Sequence, residues 1–112
     1  MADVYSFNVS LQPMEALWMV KKGLSADSEL LHEEYNEAGE GRSIGTLVYE
    51  RYFIRSSNQA ALVVIADNLQ GVTNVRLNAA GSSKGMIFKM DWGAGRSFAS
   101  SVEQLLSAYI LE

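Results

Sequence analysis

Two neighbouring stretches constrain this chain most: IGTLVYERYFIR at 44–55 and ALVVIA at 61–66, parted by the short break SSNQ. Both are rich in β-branched and aromatic residues, and together they read as a hairpin of strands. Their side chains are apolar in both directions. On 44–55, Ile44, Thr46, Val48, Glu50, Tyr52 and Ile54 fall on one face, and Gly45, Leu47, Tyr49, Arg51, Phe53 and Arg55 on the other. A sheet with one wet face alternates apolar with polar, and these strands do not. Both of their faces therefore need a cover.

The rest of the chain supplies cover for one face. Residues 4–11, VYSFNVSL, alternate as a half-buried strand. Residues 13–22 predict a helix, with Pro13 in its first turn, Lys21 and Lys22 in its last, and Gly23 just past its end. Met14, Leu17 and Trp18 share one side of it, widened by Ala16, Met19 and Val20. Residues 29–37, ELLHEEYNE, read as a strand because no apolar helical stripe is present, and AGEGR reads as the turn after it. DNLQG at 67–71 is a second turn, VTNVRLNAA at 72–80 a further strand, and GMIFKMDW at 85–92 one more. In the stretch from Ser97 to Glu112, Phe98, Val102, Leu105, Leu106, Tyr109 and Ile110 form a helical stripe. The expected fold is α+β in two layers: a single antiparallel sheet of about five strands with two helices on one face, in the order β-α-β4/5-α, within one domain over 1–112. That order resembles the helix-grip and TATA-binding-protein-like architectures.

Charge and composition exclude several roles. The net charge is -4 with no basic stripe, so general nucleic-acid binding is not expected. The chain has no cysteine, which removes thiolate chemistry and cysteine zinc sites. No apolar run is long enough to span a membrane, and the first residues do not read as a signal peptide, so the expected location is cytoplasmic.

Few motifs carry chemistry. In GSSKGMIFKMDWGAGRSF (81–98), Gly81 and Gly85 have the wrong spacing for a P-loop and a strand follows them. Gly93, Gly95, Arg96 and Ser97 form a generic candidate anion site at the start of the last helix, against the simpler reading of a capped helix start. His32 is the single histidine; on a strand it shares a face with Leu30 and Glu34, with Glu33, Tyr35 and Glu37 opposite. Neither a metal site, a cofactor nor a catalytic set is expected around it, and Glu33, Glu34, Glu37 and Glu40 read as a solvated acidic edge.

The strings GTLVYERYFIRSSNQAALVV, GVTNVR and GSSKGMIFKMDWGAG resemble a group of small bacterial proteins of about this length and of unknown function. That resemblance implies a cytosolic bacterial origin and supplies no catalytic residues. Three covers for the second sheet face are then open: a second copy of the chain, a hydrophobic or amphipathic ligand, or the protein's own loops. The leading expectation is a non-enzymatic domain that homodimerises through its sheet face or edge. The alternative is a small-molecule binding protein with a pocket between sheet and C-terminal helix. Tyr49, Tyr52, Phe53, Phe88 and Trp92 would line that pocket, with Glu50 or Arg51 as its polar group.

Overall fold

The computed structural model describes residues 3–25, 28–53, 58–83, 86–90 and 92–111. In chain order it runs β1 (Asp3–Val9), α1 (Pro13–Leu24), β2 (Glu29–Gly39), β3 (Arg42–Phe53), β4 (Asn58–Asp67), β5 (Thr73–Ser83), β6 (Met86–Met90), α2 (Trp92–Leu105), a 3-10 turn (Ser107–Tyr109) and β7 (Ile110–Leu111). All the strands belong to one antiparallel sheet, ordered β2-β3-β4-β5-β1-β7, with β6 paired to the end of β5. This is the expected α+β architecture. The strand read at 85–92 is β6, and the short β7 is the addition among the described residues.

The register fixes which residues meet the helices. Leu47 pairs with Val64 and Val64 with Leu77, while Tyr49 pairs with Leu62 and Leu62 with Ala79. These rows are fully buried and join Val9, Ala16, Leu17, Val20, Leu24, Ala99, Val102 and Leu106 in one core between the sheet and both helices. Burying each such large side chain contributes about 1.5–3 kcal/mol. α1 lies over β3 and β4, and α2 over β4 and β5. Both helices thus cover the same face.

Local chemistry closes the ends. Pro13 opens α1, and Glu15 reaches back to accept a hydrogen bond from the Gln12 N–H at 2.9 Å. The β2–β3 connection turns through Glu40 and Gly41 at φ 58° and 77°, the two left-handed positions of a primed hairpin turn. Asn68, in the β4–β5 turn, stitches that hairpin to its own turn. Its Oδ1 accepts from the Ser43 N–H at 2.8 Å, and its Nδ2 donates to the Gly41 carbonyl at 3.1 Å.

Four expectations change. Trp18 is 58% exposed, so it stands outside the buried stripe of α1, where Lys22 Nζ sits 4.5 Å from its ring centroid. A β-bulge between Leu30 and His32 adds one residue to β2. Leu30 therefore pairs with Tyr49 and packs on the core, while His32 pairs with Val48 and shares the opposite face with Glu34 and not with Leu30. At the end of the chain the helix stops at Leu105. Tyr109 and Ile110 leave it because Ile110 pairs with Val9 in the sheet, and the Ser10 N–H donates to the Tyr109 carbonyl at 2.9 Å. Finally, Trp92 belongs to α2 rather than to the strand before it, while the GAGRS stretch lies at the start of that helix as expected. That helix rests on burying Ala99, Val102 and Leu106 and not on its glycine-bearing first turn.

Helix and sheet approach closely at Gly45, where an added Cβ would run into Leu17 Cδ1, and Leu17 is itself only 1% exposed. Gly45→Ala should therefore destabilise the fold by about 1–3 kcal/mol through overpacking, despite the better strand propensity of alanine. Urea unfolding monitored by tryptophan fluorescence measures this as a lower midpoint at unchanged slope.

Candidate functional site

The face turned away from the helices carries a second pattern. On β3 it presents Ile44, Thr46, Val48 and Glu50, and on β4 Val63 and Ile65, all half-buried, with Ala61 exposed. The register sets these in rows: Val48 beside Val63, and Thr46 beside Ile65. An apolar strip therefore runs down the middle of this face over the β3–β4 seam. No described element of the chain lies across it.

Polar residues flank the strip on both sides. On β2, His32, Glu34 and Asn36 pair with Val48, Thr46 and Ile44. Glu34 accepts from His32 Nε2 at 3.3 Å and from Asn36 Nδ2 at 3.3 Å, and these contacts, His32 first, hold its carboxyl below its ordinary range. On the other side, β5 presents Asn74, Arg76 and Asn78, and β1 presents Ser6 and Asn8.

One buried charge sits here. Asp67, at the end of β4, is 6% exposed, and Arg76 Nη1 meets its Oδ2 at 2.7 Å. Asp67 Oδ1 accepts from the Leu69 N–H at 3.1 Å, which shapes the β4–β5 turn as an Asx turn. Arg76 Nη1 also donates to Asn74 Oδ1 at 3.0 Å, and Asn74 Nδ2 donates to Ser6 Oγ and Asn8 Oδ1 at 3.0 Å each. The network borders an open cavity of about 490 Å³ lined by Asn8, Asp67, Asn74, Arg76 and the turn residues Leu69, Gln70 and Val72. Sequence reasoning passed over this pair. Its signal was the hairpin register, which sets Asp67 beside Asn74 and Ile65 beside Arg76, so that Asp67 and Arg76 lie diagonally on one face.

Of the side chains named from the sequence, three are described: Tyr49 and Arg51 lie on the helix side and Glu50 on the opposite face. Tyr49 is 2% exposed in the core, where burial pushes its phenol above the usual 10.0. Arg51 lies on the helix side, where its Nε donates to Ser28 Oγ at 3.1 Å and it lines a cleft of about 280 Å³ with Gly23, Leu24, Ser101, Gln104 and Leu105. Glu50 lies on the opposite face, in the row of Ala61. Tyr52 and Phe53 close β3 opposite Gln59 and Asn58, Phe88 lies in β6, and Trp92, Gly93, Gly95, Arg96 and Ser97 lie in the first turns of α2. The side chains of these last eight residues fall outside the described ones.

A further cluster lies at the β2 edge on the helix side. Lys21 Nζ meets Glu33 Oε1 at 2.8 Å, and the Tyr35 hydroxyl donates to the same oxygen at 2.8 Å. The hydrogen bond between Lys21 and Glu33 raises the amine above 10.5 and lowers the carboxyl below 4.5.

A model of a family of unknown function, DUF6054, matches residues 1–110. The chain belongs to that family. No curated protein matches it. Among solved structures, the DUF6054 chain is similar to TTHA0849 from Thermus thermophilus, at 13% identity and a TM-score of 0.37, over 96% of this chain and 98% of that one. It is also similar to the Zhui aromatase/cyclase from Streptomyces sp. R1128, at 11% identity and a TM-score of 0.27, over 96% of this chain and 87% of that one.

Two measurements check these electrostatics. Asp67→Ala should lower stability by about 1–3 kcal/mol, because it strips a buried acceptor from the Leu69 N–H and from Arg76. Glu33→Ala, on an exposed ion pair, should barely move the same urea midpoint. The Lys21–Glu33 pair also sets a pH window. The contribution of Glu33 is complete above its ordinary 4.5 and is lost as pH falls through its lowered value. That of Lys21 is complete below its ordinary 10.5 and is lost as pH rises through its raised one. The small stability difference between wild type and Glu33→Gln should hold level between those two values and shrink outside them.

Proposed function

We propose that this chain is a non-enzymatic, cytoplasmic assembly module that homodimerises through the sheet face opposite its helices. The observation that carries the reading is the strip of Ile44, Val48, Val63 and Ile65 along the β3–β4 seam, with both helices packed on the other side. Apolar side chains set side by side on a rigid sheet gain by leaving water together, at roughly 25 cal/mol per Å².

The sheet edge is a poorer candidate than the face. β2 is the long edge strand, yet it carries Glu29, Glu33, Glu34 and Glu37 and two register shifts. Pairing β2 with its own copy would bring like charges together along a kinked strand, a usual device against edge-to-edge association.

The available area is enough for a specific contact. β3, β4 and β5 share ten paired rows. With β2 included, the face measures about 19 Å by roughly 33 Å from ordinary strand spacings. That is roughly 600 Å² per copy and about 1,200 Å² in all, the lower end of specific interfaces.

A second reading is small-molecule binding between the sheet and α2. It draws on the cleft at Arg51, whose volume of about 280 Å³ falls just short of ordinary ligand pockets. Native mass spectrometry of freshly purified protein would reveal a retained ligand.

Light scattering on the eluting peak of a sizing column, at tens of micromolar, should give twice the 12.3 kDa chain mass. Val63→Lys should return the chain mass alone while leaving the far-ultraviolet circular dichroism unchanged. A wild-type monomer at that concentration would remove the assembly reading.

A further inference from the structure

The flanks of the strip differ in charge, and this difference selects one way for two copies to meet. Glu34, Thr46, Ile65 and Arg76 lie in one row across β2, β3, β4 and β5. His32, Val48, Val63 and Asn78 lie in the next row but one. Each row is thus polar on β2, apolar over the seam and polar on β5. The first row has its acidic group, Glu34, at the β2 end and its basic group, Arg76, at the β5 end.

From this arrangement we infer that the two copies pack face to face about a two-fold axis parallel to the strands and along the β3–β4 seam, so that Glu34 of each meets the partner's Arg76. The inference rests on the dimer reading and adds its geometry. A rotation about that axis preserves position along the strands and exchanges left with right. It lays β2 over the partner's β5 and β3 over the partner's β4. Val48 then faces the partner's Val63, Thr46 the partner's Ile65, and His32 the partner's Asn78. The contact is isologous, so each pairing occurs twice. The strand directions remain aligned, as face-packed sheets prefer.

The other in-plane axis, perpendicular to the strands, fails on charge. It would stack β2 on the partner's β2 and bring the Glu34-bearing strands together, leaving both Arg76 side chains without an acidic counterpart across the interface. Like charges juxtaposed in this way disfavour that packing.

Arg76 has the capacity for a second carboxylate. Its contacts with Asp67 and Asn74 both use Nη1. A guanidinium has five N–H donors, so Nη2 and Nε remain. The open cavity of about 490 Å³ beside Arg76 leaves room for an incoming side chain. Glu34, in turn, spends one contact on each oxygen, and each carboxylate oxygen accepts more than one. Facing sheets lie about 10 Å apart, a gap that an arginine and a glutamate bridge between them.

Cross-linking tests the geometry. The chain has no cysteine, so single-cysteine variants react at one place only. His32→Cys and Asn78→Cys are made separately, mixed, allowed to exchange, and treated with a bismaleimide spanning about 10 Å. The proposal expects a covalent dimer from the mixture that contains one copy of each variant, and little product from either variant alone. Within one copy β2 and β5 are three strands apart, about 14 Å, as are the two His32 positions across the axis in projection. Glu34→Lys should weaken dimerisation at least about tenfold at low salt and less at high salt. Self-linking by His32→Cys alone, or a dimer that does not cross-link in the mixture, overturns this geometry while leaving dimerisation standing. A monomeric wild type overturns both.

Discussion

The structure depends on a register. Once Leu47 pairs with Val64 and Val64 with Leu77, every odd position of β3 and β5 and every even position of β4 in these rows faces the helices. A slip of one residue would turn Leu62 and Val64 outward and Val63 and Ile65 inward. Because the side-chain period of a strand is two, the register that builds the core also decides what is left outside. Ile44, Val48, Val63 and Ile65 have no route into the core that Leu47, Tyr49, Leu62 and Val64 already fill. A helix of 12 residues and one of 14 extend about 18 Å and 21 Å, and both are committed to one side. The exposed strip is therefore a consequence of how the core forms.

The two faces are finished in different ways. On the helix side the fit is close enough that Gly45 and Gly23 have no space for a methyl group beside Leu17 and Leu105. On the other side the apolar strip is framed by hydrogen-bonded polar groups, and at one end the buried Asp67 is held by Arg76 and by its own turn. Asp67 pairs with Ile44 and so ends the strip on β4, while Arg76 flanks it on β5. Asn68 joins the β2–β3 turn to the β4–β5 turn at the same end, so the strands that carry the strip are fixed against one another. A surface of this kind is rigid before it meets anything, which lowers the ordering cost of association.

Much of this was legible in the sequence, because periodicity reports directly on which face a residue takes. The alternation of Tyr5, Phe7 and Val9, the proline that opens α1 and the doubly apolar 44–55 stretch all match the observed elements. The parts that were not legible have physical causes. The bulge after Leu30 leaves no mark in composition, yet it moves Leu30 to the core face and leaves His32 on the other. The stripe of the last helix continues in sequence through Ile110, but pairing with Val9 offers its backbone a better partner than another helical turn. Trp18 is apolar in composition and amphipathic in behaviour, and it covers itself with the Lys22 ammonium. The Asp67–Arg76 pair spans a turn, so neither residue is conspicuous until the hairpin register sets them diagonally.

The acidic character of β2 follows from its position. A long edge strand exposes unpaired backbone groups and invites extension of the sheet by another chain. Glu29, Glu33, Glu34 and Glu37 discourage that on both faces of the strand, and Lys21 and Tyr35 gather Glu33 toward the helix side. Glu34 is left on the other face, level with Arg76 three strands away. The same charges that close the edge to pairing thus make the broad face unsymmetrical, with the Glu34 carboxylate on one flank and, on the other, the Arg76 donors that Asp67 and Asn74 leave over. A face with opposite flanks and an apolar middle is complementary to itself under one rotation only. Blocking association at the edge and orienting it at the face can therefore be two results of one choice of residues on β2.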